Sequence, residues 1–286
     1  MKLVTIRNSR MLAGIASMLE CLGHDTEDRT IALGMEAPYL FLRSEDGFIA
    51  GTSLFRPRWI NLYLHSIGFH LDQITLPKED VPAFLRQRPT AMLPIQLSPN
   101  DNASQPVVFT GLNRGRFCFG TLSPNNALLK SFTDAQLQSR LPEKCMVYVI
   151  DVIPSEAVDF MPYLGESLRN LSLFWDVFQQ LLTRSVTRDE YDALKQSHLR
   201  ALMHDLLPAA SLNHDSMLID ELKIANYFYK GVFQEHSPKH VLLSNKIPAV
   251  FIKNCVNWLK EDITDRLYEL GASDEVVESY RRTLTD

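Results

Sequence analysis

Apolar residues near the start of the chain recur every three or four positions, which is the spacing of a helix with one buried face. The positions are Met11, Leu12, Ile15, Met18, Leu19 and Leu22. Asn8 or Ser9 could cap the first turn, and Gly23 is a typical helix terminator. The pattern therefore predicts a helix that begins near Ser9 and ends at Gly23.

Short apolar runs separated by turn residues follow, and they predict strands. Residues 39–43 and 48–50 flank Ser44-Glu45-Asp46-Gly47, which is typical of a hairpin. Further strands are predicted at residues 69–76, 91–97, 106–110, 116–122 and 144–152, with a tight turn at 111–115. Helices are predicted at residues 25–34, 57–67 and 78–88.

Beyond Pro154 the apolar positions change from alternation to helical spacing and keep that spacing. One stripe consists of Leu218, Leu222, Ala225, Tyr229 and Val232. The sequence thus predicts an α+β fold with two domains. Residues 1–152 would form an α/β domain with an antiparallel sheet, and residues 153–286 an all-helical domain.

The composition argues against a nucleic-acid-binding protein and against a membrane protein. The chain has 286 residues, 45% of them hydrophobic, and a formal net charge of −5. Nucleic-acid binding requires a concentrated basic face, and no basic block is present. A membrane span needs about 18 consecutive apolar residues, and a signal peptide needs a longer apolar stretch than the first residues provide. We therefore expect a cytoplasmic protein that binds neither nucleic acid nor membrane; its oligomeric state is left open.

The four cysteines, Cys21, Cys118, Cys145 and Cys255, are scattered without metal-ligand spacing. We interpret them as reduced, buried thiols, and we expect no metal and no other cofactor. Cys21 would lie at the C-terminal end of its helix, where the helix dipole raises a thiol pKa. It is therefore a poor candidate for a nucleophile.

The order of elements in the first half is a capped helix, a hairpin, a helix and then paired strands. Those strands carry Val107-Val108-Phe109-Thr110-Gly111 and Phe117-Cys118-Phe119. This arrangement resembles the papain-like cysteine peptidase fold, and within it the N-terminal domain of the butirosin biosynthesis protein H family. The resemblance covers residues 1–152. It implies transfer of an acyl group from a carrier-protein thioester to an amine by a Cys-His-acid triad.

The positions that match the family triad do not hold those residues. Counting back from Gly23 reaches Arg10, with Ser9 beside it, and counting back from Gly111 reaches Gln105. The position of the orienting acid falls in the segment that contains Thr121. No cysteine precedes Cys21, and no histidine lies between His70 and His198. The sequence therefore predicts that a papain-like cysteine mechanism is absent.

Two other sets of residues could carry chemistry. Ser9 could replace the cysteine if a base activated it, and His24, His65 and His70 are in the same domain. The alternative is that Ser9 only caps the helix. His204-Asp205 and His214-Asp215 are similar to the pairs of metal phosphohydrolases, but the spacings are too short for that family. Exposed polar residues around Pro208 are the favoured interpretation.

Arg56, Arg58 and Trp59 form a candidate binding surface for a ligand or partner. Arginine and tryptophan together can hold an anionic or aromatic group, although a helix start with a buried tryptophan explains them too. Carrier proteins are acidic, and arginine suits their phosphopantetheine phosphate. We thus expect an acyl carrier protein or a small acyl ligand as the partner.

Three functional hypotheses result. The leading one is an acyl- or thioester-handling protein of bacterial secondary-metabolite biosynthesis, acyltransferase-like but without the usual triad. The second is a non-catalytic scaffold or carrier-protein-binding module in a biosynthetic complex. The third is an enzyme that uses histidines and aspartates of the helical half.

Overall fold

The computed structural model describes residues 9–98, 103–122, 129–234 and 236–282. Its helices, in chain order, are α1 (Arg10–Cys21), α2 (Asp28–Gly34), α3 (Pro57–Ser66), α4 (Val81–Leu85), α5 (Asp134–Gln138), α6 (Met161–Leu182), α7 (Arg188–Leu194), α8 (Leu206–Ala210), α9 (Ser216–Gly231), α10 (Ala249–Glu269) and α11 (Asp274–Arg281). Its strands are β1 (Phe41–Ser44), β2 (Gly47–Ala50), β3 (Phe69–Pro77), β4 (Ala91–Ile95), β5 (Gln105–Asn113), β6 (Arg116–Thr121), β7 (Leu129–Phe132), β8 (Lys144–Val152), β9 (Ser185–Val186) and β10 (Val241–Leu242). The predicted α+β class is confirmed.

The described chain divides into two compact units. The first consists of the residues up to Met35 and of Phe55–Val158, and the second of Glu36–Leu54 and the residues from Asp159 onward. The predicted hairpin, β1 with β2, thus belongs to the second unit. The division into domains at residues 152 and 153 stays a prediction.

The first unit is built on a six-stranded antiparallel sheet in the order β3-β8-β4-β5-β6-β7. One face of the sheet packs against α4 and α5 in an apolar core that includes Val107, Phe109, Phe117, Phe119 and Val147. Alternation along a strand sends every second side chain to this face. The remaining side chains of each strand point to the other face.

The second unit is mainly helical and is centred on α6. Phe174 of α6 makes edge contacts with Phe41 and Phe48 of the hairpin, at ring-centroid distances of 5.6 and 5.7 Å. The backbone N–H of Phe41 donates to Ser167 Oγ (2.8 Å), and Asn170 Nδ2 donates to the carbonyl of Phe41 (3.1 Å). These bonds satisfy the outward-facing backbone N–H and carbonyl of Phe41 in the hairpin. A two-stranded sheet by itself has only marginal stability.

Several elements differ from the prediction. The turn between β5 and β6 is shorter than expected, because both strands extend to a two-residue turn at Arg114 and Gly115, which have φ of 49° and 73°. The helix predicted at residues 78–88 is shorter in the structure, where it is α4 (Val81–Leu85). β7 and α5 were not predicted, and neither was the short pair β9–β10, so the C-terminal half is not all-helical.

Candidate functional site

Helix α1 covers the sheet face opposite to the apolar core. A Cβ added at Gly14 would overlap Met92 Sδ and lie 3.2 Å from Leu122 Cδ1. Met92 is in β4, and Leu122 directly follows β6. Glycine at position 14 therefore allows the helix backbone to approach the sheet closely on this face.

Gln105 and Thr121 belong to the other face. Gln105 pairs with Ile95 and Thr121 pairs with Val107, and both partners lie in the core packed against α4 and α5. Directly paired residues of antiparallel strands project to the same face. The structure thus brings Gln105 and Thr121 together on one face, but α1, which starts beside Ser9 and Arg10, packs on the opposite one.

A shift by one residue does not restore acid–base chemistry. The face that α1 covers includes Met92, Pro94, Pro106, Val108, Gly120 and Leu122, and Thr110 and Cys118 follow further along β5 and β6; none of these residues is a histidine or an acid. Pro106 and Leu122 are the neighbours of Gln105 and Thr121 in the chain, and neither can accept or donate a proton. The described residues of β4, β5 and β6 therefore supply no general base beneath α1, whether the family positions are Gln105 and Thr121 or their neighbours Pro106 and Leu122.

Ser9 occupies the N-cap position of α1 with extended backbone, φ −142°, but its hydroxyl makes no capping bond. Its backbone N–H donates to the carboxylate of the buried Asp28 (3.3 Å), and Arg10 is exposed. Gly23 ends the region with φ 86°, as predicted. Helix start and end thus agree with the prediction, whereas the capping role of the Ser9 side chain does not.

The three histidines proposed as a base for Ser9 have other partners. His24 packs edge-on against Phe69, with ring centroids 5.4 Å apart. His65 Nε2 and His70 Nδ1 are hydrogen bonded to each other (2.8 Å), and His70 Nε2 lies 3.2 Å from Asp72 Oδ1. Among the described residues, no hydrogen bond joins Ser9 to a histidine. A serine mechanism stays an untested hypothesis.

Burial favours the protonated form of three thiols, those of Cys21, Cys145 and Cys255. Burial raises the pKa of Cys21, raises that of Cys145 to about 11, and raises that of Cys255 to about 12, where Glu221 adds a smaller contribution of the same sign. A thiolate is the nucleophilic form, and these environments suppress it. Within the described part of the chain, no group of three or more histidine, cysteine or acidic residues could hold a metal ion.

Arg56, Arg58 and Trp59 lie together at the start of α3. Arg56 is the N-cap residue and Pro57 occupies the first turn, where its missing N–H costs nothing. Both arginines are exposed, and the guanidinium of Arg58 lies 4.8 Å above the Trp59 ring centroid. In the described structure neither guanidinium forms an ion pair with a carboxylate. This end of α3 is therefore electropositive and open to an anionic partner.

The chain has a remote structural similarity to a bacterial peptidase domain. The peptidase domain of Streptococcus ComA, described as a bi-functional ABC transporter involved in a quorum-sensing pathway, is 12% identical. The match covers 54% of this chain and 98% of that domain with a TM-score of 0.32. No protein-family model and no curated protein matches the chain. The α+β class therefore rests on the elements described above.

Each of the two His-Asp dipeptides has one buried side chain, Asp205 in the first and His214 in the second, so the interpretation as exposed residues is wrong for these two. Asp205 is 2% exposed and accepts from Arg200 Nε (3.0 Å) while contacting His204 Nδ1 (2.7 Å). His214 bonds Asp262 instead of Asp215, and its Nε2 lies 2.8 Å from the carbonyl of Pro38. Asp215 caps α9 by accepting from the backbone of Met217.

A π-helical segment between α7 and α8, formed by Lys195–Leu199 and Ala201–Asp205, is a feature that the sequence did not reveal. π-Helical turns occur often at functional sites. Beside it a cavity of about 280 Å³ is lined by residues that include Arg43, Phe48, Val177 and His198. Burial lowers the pKa of His198, and the nearby Arg43 lowers it further.

None of the described helices is both long enough and apolar enough to cross a membrane.

Proposed function

We propose that this protein binds an acyl or thioester group without covalent catalysis, as a cytoplasmic carrier-protein-binding module of bacterial secondary-metabolite biosynthesis. One observation carries the non-covalent part of the proposal. Among the described residues of β4–β6 on the sheet face beneath α1, none is a histidine or an acid, so this face supplies no histidine base to the helix start; the carboxylate that lies there, that of Asp28, accepts from the backbone N–H of Ser9. The resemblance of residues 1–152 supplies the ligand class.

The chemistry of acyl transfer explains why that observation matters. A nucleophile at a helix start requires a base or a low pKa before it can attack a thioester. Cys21 lies at the other end of α1, and burial raises its pKa. Binding of an acyl chain needs no nucleophile, since burying each methylene against apolar side chains contributes about 0.8 kcal/mol.

The partner surface would be the start of α3. Arg56 and Arg58 are exposed and free of carboxylate partners in the described structure, and the α3 N-terminus adds the positive end of a helix dipole. Trp59 stacks with Arg58 and limits its motion. An acidic carrier protein, or the phosphate of its phosphopantetheine arm, is the complementary partner.

The non-covalent mechanism predicts slow chemistry at every cysteine. We expect no rapid, stoichiometric adduct when the native protein is incubated with an acyl-thioester or with iodoacetamide at neutral pH. Burial disfavours the thiolates of Cys21, Cys145 and Cys255, and the partly buried Cys118 donates its thiol hydrogen to the carbonyl of Arg116 (3.8 Å). Intact mass spectrometry measures this directly. The unfolded protein in urea is the control, since all four cysteines should then react.

A fast single adduct on a cysteine would contradict the proposal and show that a covalent mechanism survives. An acyl adduct on Ser9, lost in a Ser9→Ala variant, would instead support the serine mechanism. If Cys21, Cys118, Cys145 and Cys255 are replaced by alanine or serine, binding per folded molecule should persist, with stability losses of about 1–3 kcal/mol each.

The partner surface predicts a loss of carrier-protein binding in the Arg56→Ala, Arg58→Ala variant. Each exposed charge contributes up to about 1 kcal/mol, so we expect affinity to fall by roughly tenfold. Calorimetry with an acyl carrier protein should also show weaker binding as salt is added. Arg188→Ala is a matched control, because Arg188 is also an exposed arginine at a helix start and also lies over an aromatic ring, that of Phe233. Unchanged affinity in the double variant would refute the surface but leave the non-covalent mechanism standing.

A further inference from the structure

A cavity of about 310 Å³ lies within the second unit, between α6, α10 and α11. One wall is the face of α10 that carries Asn257, Lys260, Glu261 and Thr264, spaced three and four residues apart. Ser172 of α6 and Arg281 of α11 complete the polar lining. Leu168 is the apolar member of the lining, and the polar members include two cations, Lys260 and Arg281, and one carboxylate, Glu261.

The position of Arg281 is fixed by the docking of α11. The Tyr280 ring packs against Gly165 of α6, where any added Cβ would overlap the ring. Arg281 Nη2 then donates to Thr264 Oγ1 (3.3 Å), and Nη1 donates to Glu278 Oε1 (2.9 Å). Guanidinium has five N–H donors, so further donors of Arg281 remain available to a ligand.

Lys260 is the unusual group of this cavity. It is half-buried, and among the residues that the structure describes its Nζ has neither a hydrogen bond nor an ion pair. Burial lowers the pKa of Lys260, and Asp176 opposes that shift only partly. A partly desolvated ammonium without a partner is costly, because burial of a charge is normally compensated by an opposite charge.

The hydroxyls of the cavity do not supply this compensation. Thr264 Oγ1 donates to the carbonyl of Lys260 (2.8 Å), and Ser172 Oγ donates to the carbonyl of Leu168 (3.3 Å). The exposed Glu261 is the one carboxylate in the lining and has no ion-pair partner in the described structure. Donors therefore exceed acceptors around Lys260.

We propose that this cavity binds the phosphate group of a small molecule, with Lys260 and Arg281 as its cationic ligands. A phosphate dianion presents several acceptor oxygens to two cations that come from different helices, and arginine and lysine are the usual residues for this task. The site lies in the second unit and does not depend on the binding function proposed for the first. Three carboxylates repel the anion and limit its affinity: Glu261 in the lining, Glu278 through its ion pair with Arg281, and Asp176 near Lys260.

The test is site-resolved acetylation of the native full-length protein by an N-hydroxysuccinimide ester, with inorganic phosphate as the probe. Phosphate should slow acetylation of Lys260, measured by peptide mass spectrometry. Lys253 is the matched control, because it lies two turns earlier on α10 and is exposed. Its acetylation should not change. Acetate at equal ionic strength should protect Lys260 only at a roughly fivefold higher concentration, because it carries one charge fewer.

Charge substitutions give opposite results if the proposal is correct. Arg281→Gln should raise the half-protecting phosphate concentration by roughly fivefold, and Glu261→Gln should lower it by roughly threefold. Glu261 is exposed, so its variant should fold even if Arg281→Gln disturbs α11. Equal protection of Lys253 and Lys260, no protection at all, or no effect of Glu261→Gln would overturn the site. Protection by acetate that equals protection by phosphate would overturn the assignment to phosphate.

Discussion

Replacing Gly47 by alanine is expected to lower the free energy of unfolding of the second unit by about 2–5 kcal/mol. Gly47 begins β2 with φ 134°, a conformation that favours glycine. An added Cβ would overlap the backbone carbonyl of Ser197 in the π-helical segment. A backbone group cannot move aside as a flexible side chain can, so the hairpin and the segment would have to separate.

Gly271→Ala is the matched control for this variant. Gly271 also has a positive φ, 91°, but nothing lies within 4 Å of its added Cβ. The free energy of unfolding of the Gly271→Ala variant should therefore fall only by the conformational cost, about 1–2 kcal/mol. Urea unfolding followed by helical circular dichroism measures both losses. Equal losses in the two variants would show that the close approach to Ser197 does not exist.

Local sequence signals predicted those helices and strands whose ends are set by residues within the same segment, such as a terminating glycine. Gly23 and Gly68 end α1 and α3 with positive φ, and β8 has the predicted limits, Lys144 and Val152. α4 is shorter than predicted because turn bonds, such as Gln87 N–H to the carbonyl of Phe84, replace the helix after Leu85. In β7 only Phe132 is buried, so that strand shows no alternation to detect.

The candidate site was predicted less well because side-chain direction depends on strand register. The count along the chain led to Gln105 in β5 and Thr121 in β6, but a shift of one residue along a strand exchanges the two faces of the sheet. Only the pairing of Gln105 with the buried Ile95 reveals which face it occupies. The absence of a histidine, by contrast, is independent of register and could be inferred from sequence alone.

Pairs that are distant in sequence were beyond the reach of local patterns. His214 was grouped with Asp215, yet it bonds Asp262, 48 positions away. The π-helical segment has no sequence signature of its own, although Gly47 and Gly51 at the two ends of β2 both pack against its carbonyls. Close backbone approach is a common reason for glycine at the end of a strand.

The second large effect is expected at the buried ion pair between Glu36 and Arg266. Glu36 is 5% exposed, and its carboxylate accepts from Arg266 Nε (2.9 Å) and Nη2 (2.5 Å). Hydrogen bonding by Glu36 raises the pKa of the Arg266 guanidinium. Arg266→Met should cost about 3–5 kcal/mol, because it leaves a buried carboxylate without its counter-charge.

Two further variants distinguish the effect of losing the Glu36–Arg266 ion pair from the effect of losing side-chain packing. Glu269 is exposed and bonds the other arm of Arg266 (2.8 Å), so Glu269→Gln should change stability by no more than about 1 kcal/mol. The double variant Glu36→Gln, Arg266→Met should be more stable than Arg266→Met alone, since no buried charge remains. Thermal and urea unfolding at neutral pH measure all three. If the double variant is less stable than Arg266→Met, the cost arises from lost contacts of the arginine stem, and the ion pair is not what anchors Glu36 to α10.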